Sequence, residues 1–109
     1  MCSLFTGSVA FDLLLGDVRS LKQKRSLVRP LVAELRRKYD VSAAEAGHLD
    51  LHRRALVGVA VVAADRSHCV HVLDACERLV AARPEMDLLT AHRQVFRSTD
   101  DVIDEQEDE

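Results

Sequence analysis

The run ALVGVAVVAA, from Ala55 to Ala64, constrains the fold more than any other stretch of the sequence. Every residue in it is apolar or glycine, and the run is much too short to cross a membrane as a helix. A short, valine-rich apolar run is typical of a strand buried in the middle of a sheet. The sequence therefore predicts a sheet in which this strand lies centrally.

Three other segments complete the predicted sheet. Phe5 to Leu15 alternates apolar residues or glycine with small or polar ones, which indicates a strand that is buried on one side. Gly16-Asp17 ends that strand. Shorter strands are predicted over Val41–Ala46 and Met86–Phe96, and residues 47–54 form the hairpin loop that leads into the central strand.

Two helices are predicted between the strands. The first covers about residues 21–38, with Ser20 and Gln23 spaced as a capping box and apolar residues at helical intervals: Leu21, Val28, Leu31, Val32, Leu35 and Tyr39. Pro30 predicts either a bend in this helix or a helix that begins there. The second is capped by Asp65 or Ser67, ends before Pro84 and has a core stripe of Cys69, Val72, Leu73, Cys76, Leu79 and Val80.

The element order βαββαβ predicts an α+β, ferredoxin-like domain over residues 1–97. Its four-stranded antiparallel sheet has the strand order 4-1-3-2, and both helices lie on one face. The other face carries small residues, namely Ser8, Ala10, Gly58 and Ala60. A smooth face of this kind is a candidate surface for a partner protein or a second copy of the chain.

The charges divide the chain in two. Of the 18 acidic residues, seven lie in residues 98–109, where there is no Lys or Arg, so residues 1–97 hold all 15 cations against 11 acids. Such an acidic segment has too few apolar groups to offset the entropy of ordering. Residues 98–109 are therefore predicted to be a disordered tail that folding does not need.

The basic excess is concentrated on the first helix. At about 100° per residue, Lys22, Arg25, Arg29 and Arg36 form one stripe, and Lys24 and Lys38 lie on the opposite flank. Cations in the first turn oppose the helix dipole unless an anion binds there. The stripe, with Arg19 at its start, therefore predicts a track for RNA phosphates. Alternatively, these side chains lie along the helix edge and keep the domain soluble.

Residues capable of catalysis or metal binding have simpler interpretations. His48, Asp50 and His52 could bind a metal if extended, but they also suit a solvated hairpin tip in which Asp50 pairs with Arg54. His68 and His71 are interpreted as surface residues. Cys69 and Cys76 fall in the apolar stripe and are expected in the core. With no GxxxxGK[ST], GxSxG or CxxC motif, we predict no enzyme, no catalytic residue, no metal and no cofactor.

Other features narrow the setting and the mode of RNA contact. No apolar run reaches the length of a membrane span, and the N-terminus does not resemble a signal peptide, so a cytoplasmic protein without membrane contact is expected. Three cysteines without a secretory signal favour free thiols. Phe5 and Phe11 fall on the alternate positions of the first strand that face the core. This placement disfavours stacking of RNA bases on the open sheet face.

The run SLKQKR after a first strand, followed by AEAGHLDLHRRALVGVAVVAADRSH, resembles the small bacterial YlxP-like family, a domain of unknown function. The resemblance covers about residues 4–97, and Pro30 and the acidic tail depart from it. It implies the same βαββαβ fold, a gene setting among transcription and translation factors, and a role at the small ribosomal subunit. It implies no catalytic residues.

Two functions are therefore predicted. The first is a non-enzymatic accessory factor that binds the small ribosomal subunit or its RNA through the basic first helix, at Arg19, Lys22, Arg25, Arg29 and Arg36. The alternative is a protein-interaction or homodimerisation module that uses the open sheet face and binds no nucleic acid.

Overall fold

A computed structural model describes residues 3–98 of the 109-residue chain. Its elements are β1 (Leu4–Leu15), α1 (Leu21–Tyr39), β2 (Ser42–Gly47), β3 (Arg54–Ala63), α2 (Arg66–Ala81) and β4 (Met86–Ser98). The predicted order βαββαβ is confirmed.

The four strands form one antiparallel sheet in the order β2-β3-β1-β4, which confirms the predicted strand order and the ferredoxin-like arrangement. β1 lies between β3 and β4: Phe5 pairs with Ala63 on one side and with Arg97 on the other. Against β4, the register of β1 shifts between Asp12 and Leu13.

Both helices pack on the same face of the sheet, the face to which the buried residues of β1 and β3 point. Along each strand, these buried residues alternate with residues that point to the open face. Phe11, Leu13, Leu31, Leu35 and Leu73 are fully buried between the layers. Cys69 and Cys76 are also fully buried, as predicted, and both are free thiols. Burial raises the pKa of the Cys76 thiol to about 11, so this side chain is protonated at neutral pH and acts as a small apolar group.

Helix α2 approaches β1 closely where β1 has no side chain. A Cβ on Gly7 would lie 3.0 Å from Leu73 Cδ1 and 3.5 Å from Cys69 Cβ. The fully buried Leu73 therefore occupies the space that a larger residue at position 7 would need. The glycine therefore allows α2 to lie close to the centre of the sheet.

Ser20 caps α1, as predicted. Its hydroxyl accepts the backbone N–H of Gln23 at 3.1 Å, and the Gln23 side chain returns to accept the backbone N–H of Arg19 at 2.7 Å. The return bond thus reaches one residue before the cap. Two donors that the helix itself cannot satisfy are paired in this way.

Of the two candidate caps for α2, the structure selects Asp65. Its Oδ1 accepts the backbone N–H of His68 at 2.8 Å, and this bond lowers the pKa of the Asp65 carboxyl. In α1, the helix continues through Pro30, so a helix that begins at this residue is ruled out. Pro30 and Ser26 are exposed, and water can therefore bond the Ser26 carbonyl that lacks its helical donor.

The last strand is longer than predicted. β4 continues to Ser98, which pairs with Leu4, so the ordered domain includes one residue that the sequence assigned to the tail. The rest of the predicted tail, residues 99–109, lies outside the described residues. Within residues 3–98, neither helix is both long and apolar enough to span a membrane.

Candidate functional site

Helix α1 has a strongly basic outer surface. The helix contains seven Lys or Arg residues, six of them exposed, and a single acid, Glu34. Lys22, Arg25 and Arg29 are exposed, and none of them makes a salt bridge with any residue in the range 3–98. Glu34 is engaged elsewhere, since its Oε1 lies 2.6 Å from Arg83 Nη2. The positive charge of this surface is therefore not balanced locally.

Three of these arginines line a single groove between α1 and β2, which we call the arginine groove. It encloses about 430 Å³, and its lining consists of Arg25, Val28, Arg29, Val32, Ala33 and Arg36 of α1 with Ala44 and Glu45 of β2. β2 is an edge strand of the sheet, so the groove opens along the side of the molecule.

Arg36 is held in place by the neighbouring strand. Its Nε donates to the backbone carbonyl of Ala43 at 3.0 Å, which fixes the guanidinium beside β2. The two terminal nitrogens make no hydrogen bond to the described residues and remain free to bind an anion. Fixing the side chain in advance reduces the entropy that binding must remove.

The structure thus brings together Arg25, Arg29 and Arg36 from the predicted phosphate track. Lys22 is exposed one turn before Arg25 but does not line the groove. Arg19 precedes the helix and pairs with Asp17, at 3.3 Å between Nε and Oδ1. Both of these side chains are about 80% exposed. Arg19 therefore forms a solvent-exposed ion pair outside the groove.

Lys24 has a different environment from the other cations of α1, and its helical angle did not predict this environment. Its side chain is 2% exposed, and its ammonium donates to the carbonyls of His48 at 2.6 Å and Leu51 at 2.9 Å. Glu45 Oε2 lies 2.8 Å from the same Nζ. That contact is an ion pair without the alignment of a hydrogen bond. Lys24 therefore fastens the β2–β3 loop to the first turn of α1.

The position of Lys24 in the sequence contains a signal for its burial. It lies four residues before Val28 and seven before Leu31, which is the spacing of the apolar stripe of this helix. A cation at a core position requires a buried partner. The helical angle alone placed Lys24 on a flank, because that angle does not show which loop covers the first turn.

At the same end of the molecule, a charged cluster lies on the open sheet face. Arg54 Nη2 donates to both carboxylate oxygens of Asp12 at 2.7 Å, and His48 Nε2 lies 3.4 Å from Asp12 Oδ1. The predicted pairing of Arg54 with Asp50 is therefore wrong, because β1 presents its own carboxylate to Arg54. Within residues 3–98, no three His, Cys, Asp or Glu side chains come together as a metal site.

The Arg54 hydrogen bonds lower the pKa of Asp12, so the carboxylate stabilises the fold only while it is ionised. A lowered folded-state pKa gives a contribution that is present above the unfolded pKa and is lost as the pH falls through the folded value. We expect Asp12→Asn to reduce the free energy of unfolding by up to about 1 kcal/mol at pH 7, with the difference from the parent shrinking towards pH 2. Urea denaturation at several pH values measures this, and a difference independent of pH would contradict it.

The open sheet face is shallow and largely apolar at its centre. A hollow of about 440 Å³ lies over the small residues predicted to form this face, and Ala44, Ala46, His92 and Gln94 extend it towards both edges. Three larger apolar side chains are exposed at the other end of the face, namely Leu4, Val62 and Phe96. Phe96 was not anticipated as an exposed aromatic, whereas Phe5 and Phe11 point to the core as predicted.

Comparison with known proteins places this chain in a family. It is 26% identical over 90 residues to the uncharacterized protein YlxP of Bacillus subtilis, across 83% of this chain and 98% of that protein. A crystal structure of a variant of SnoaB, a cofactor-independent oxygenase from Streptomyces nogalater, aligns with 92% of this chain and 98% of its own, at 11% identity and a TM-score of 0.46. A likeness at that level says nothing about what this chain does. The model of the family described as protein of unknown function (DUF503) matches residues 6–93. The chain belongs to the DUF503 family.

Proposed function

We propose that this protein is a non-enzymatic, cytoplasmic accessory factor that binds the small ribosomal subunit or its RNA through the arginine groove and Lys22. The observation that carries the proposal is the convergence of Arg25, Arg29 and Arg36 on one groove of a helix with seven cations and one acid. Guanidinium groups bind phosphate oxygens in a forked geometry, so three of them in a row suit a phosphate backbone.

The chemistry of the groove favours backbone contact over recognition of bases. Its lining contains arginines, small apolar residues and Glu45, and no aromatic ring on which a base could stack. The charge of Glu45 is balanced by the buried ammonium of Lys24. The groove therefore keeps a positive field, and we expect binding that depends strongly on salt and weakly on sequence.

A charge-matched pair of variants tests the proposal. Arg25→Gln with Arg29→Gln removes two groove cations, and the control, Arg66→Gln with Arg78→Gln, removes two exposed cations of α2 that pair with no acid in the range 3–98. The groove variant should bind a labelled RNA hairpin and purified small ribosomal subunits at least about 10-fold more weakly. The slope of the logarithm of its binding constant against the logarithm of the salt concentration should be smaller in magnitude by about two. The α2 variant should bind much as the parent does.

Titration across a salt series, together with a melting curve for each variant, provides the measurement. An equal loss of RNA affinity in the groove variant and in the α2 variant would mean that binding depends only on the net charge of the protein. No binding by the parent protein would overturn the proposal.

A second candidate is a homodimerisation or protein-interaction module that uses the open sheet face. The exposed Leu4, Val62 and Phe96 beside the apolar hollow favour it, because monomeric proteins rarely leave contiguous apolar surface uncovered. Light scattering with and without small subunits separates the candidates. A dimer that ignores the subunits supports the second, and a monomer that sediments with them supports the first.

A further inference from the structure

We propose that residues 99–109 of the same chain bind in the arginine groove and compete there with RNA. The competition rests on the proposed RNA function, but the docking of the segment does not, since it can be tested without RNA. The occupant is a specific segment of the chain, and its charge, the position of its acids and its reach each match the groove.

Charge complementarity is the first argument. Residues 99–109 contain seven acids and no cation, whereas the groove presents three arginines to which no acid of the range 3–98 is paired. Carboxylates are the natural protein partners of guanidinium groups. The same arginines that suit phosphates therefore also suit a run of Asp and Glu.

The position of the acids along the segment is the second argument. Four of the seven lie in its last five residues, namely Glu105, Glu107, Asp108 and Glu109. These carboxylates are the farthest from Ser98 and can therefore reach the arginines on the other side of the sheet.

Reach is the third argument. β4 and β2 are the two edges of the sheet, three strand spacings apart, which is about 14 Å. Arg36 bonds Ala43, which lies level with Val9 of β1, and Ser98 lies level with Leu4, so the offset along the strands is about 17 Å. Eleven extended residues span up to about 36 Å, which is enough to reach Arg36 and Arg29.

A tethered competitor is effective because its local concentration is high. A segment joined to its site by a short flexible connection acts at an effective concentration in the millimolar range. Even weak ionic docking then occupies the groove for much of the time. RNA must displace the segment, and its apparent affinity equals the intrinsic affinity multiplied by the fraction of molecules in which the groove is free.

Docking can be measured without RNA by paramagnetic relaxation. A spin label on Gln106→Cys, in the full chain with Cys2→Ser, leaves the buried Cys69 and Cys76 unlabelled. At low salt, the label should broaden the amide signals of Ala33, Arg36 and Ala44. The broadening should disappear in 0.5 M salt, where the Debye length is about 4 Å. It should also disappear in the variant that carries both Arg25→Gln and Arg29→Gln. Broadening confined to the end of β4, near Arg97, would overturn the docking.

A second experiment tests competition. A variant of the chain in which all seven acids of residues 99–109 are replaced by the corresponding amides should bind the RNA hairpin about 10-fold more tightly than the parent. Combined with Arg25→Gln and Arg29→Gln, the same replacement should give little gain, because the site of competition is lost.

The outcomes separate the two proposals. An equal gain in both backgrounds would mean general charge repulsion and would refute competition at the groove. Broadening of the groove signals without any RNA binding would leave the docked segment standing and remove the proposed RNA function. If the broadening appeared only when the spin label was on a second molecule, the contact would be between two copies of the chain.

Discussion

Lys24→Ala is expected to lower the free energy of unfolding by about 3–5 kcal/mol, the range for breaking a buried ion pair by removing one partner. The variant leaves the carboxylate of Glu45 without its cation and the carbonyls of His48 and Leu51 without a donor. Each of these groups must then recover water by opening the β2–β3 loop or remain unpaired. Urea denaturation followed by circular dichroism at pH 7 measures the loss.

Two further variants identify the cause. Lys22→Ala removes an exposed cation from the same turn and should change stability by no more than about 0.5 kcal/mol. Lys24→Met with Glu45→Gln keeps an apolar stem and removes the orphaned charge, so it should recover part of the loss. If Lys24→Ala behaved like Lys22→Ala, the buried ammonium would have no structural role.

Leu73→Ala should cost about 2–5 kcal/mol of unfolding free energy, as expected for a buried leucine whose space cannot collapse. Leu73 is fully buried, and its Cδ1 fills the position over Gly7 where β1 has no side chain. Gly7 has no side chain that could move in to fill the cavity.

The control is Leu49→Ala, which removes the same atoms from a side chain that is 60% exposed and should cost under about 0.5 kcal/mol. Both variants can be compared by urea denaturation. A loss below about 1 kcal/mol for Leu73→Ala would mean that α2 shifts towards the sheet, which a crystal structure of the variant would show.

The strands of the sheet could be predicted from the sequence because each of them shows its own pattern of apolar residues. The alternation from Phe5 to Leu15 and the apolar run from Ala55 to Ala64 each identify a strand without knowledge of its neighbours. Handedness and short connections then leave few ways to order four strands. The extension of β4 to Ser98 was missed because pairing with Leu4, rather than composition, keeps that residue in the sheet.

The candidate site was only partly predictable, because a helical stripe is local whereas its surroundings are not. Angular spacing grouped Arg25, Arg29 and Arg36, but the groove depends on where β2 lies against α1. Likewise, Arg54 contacts Asp12 through the register of β1 and β3, and proximity in sequence suggested Asp50 instead. The burial of Lys24 depends on a loop that begins 24 residues later in the chain.

The central position of β1 also governs when the chain can fold during synthesis. β1 pairs with β4, since Leu4 lies opposite Ser98, so the sheet cannot be completed until almost all of the described chain has left the ribosome. Contacts between such distant residues slow folding, because a long loop must close before they contribute. Until then, the edge of β1 that β4 will cover is open to pairing with other chains, and the nascent protein is most exposed to aggregation in that interval.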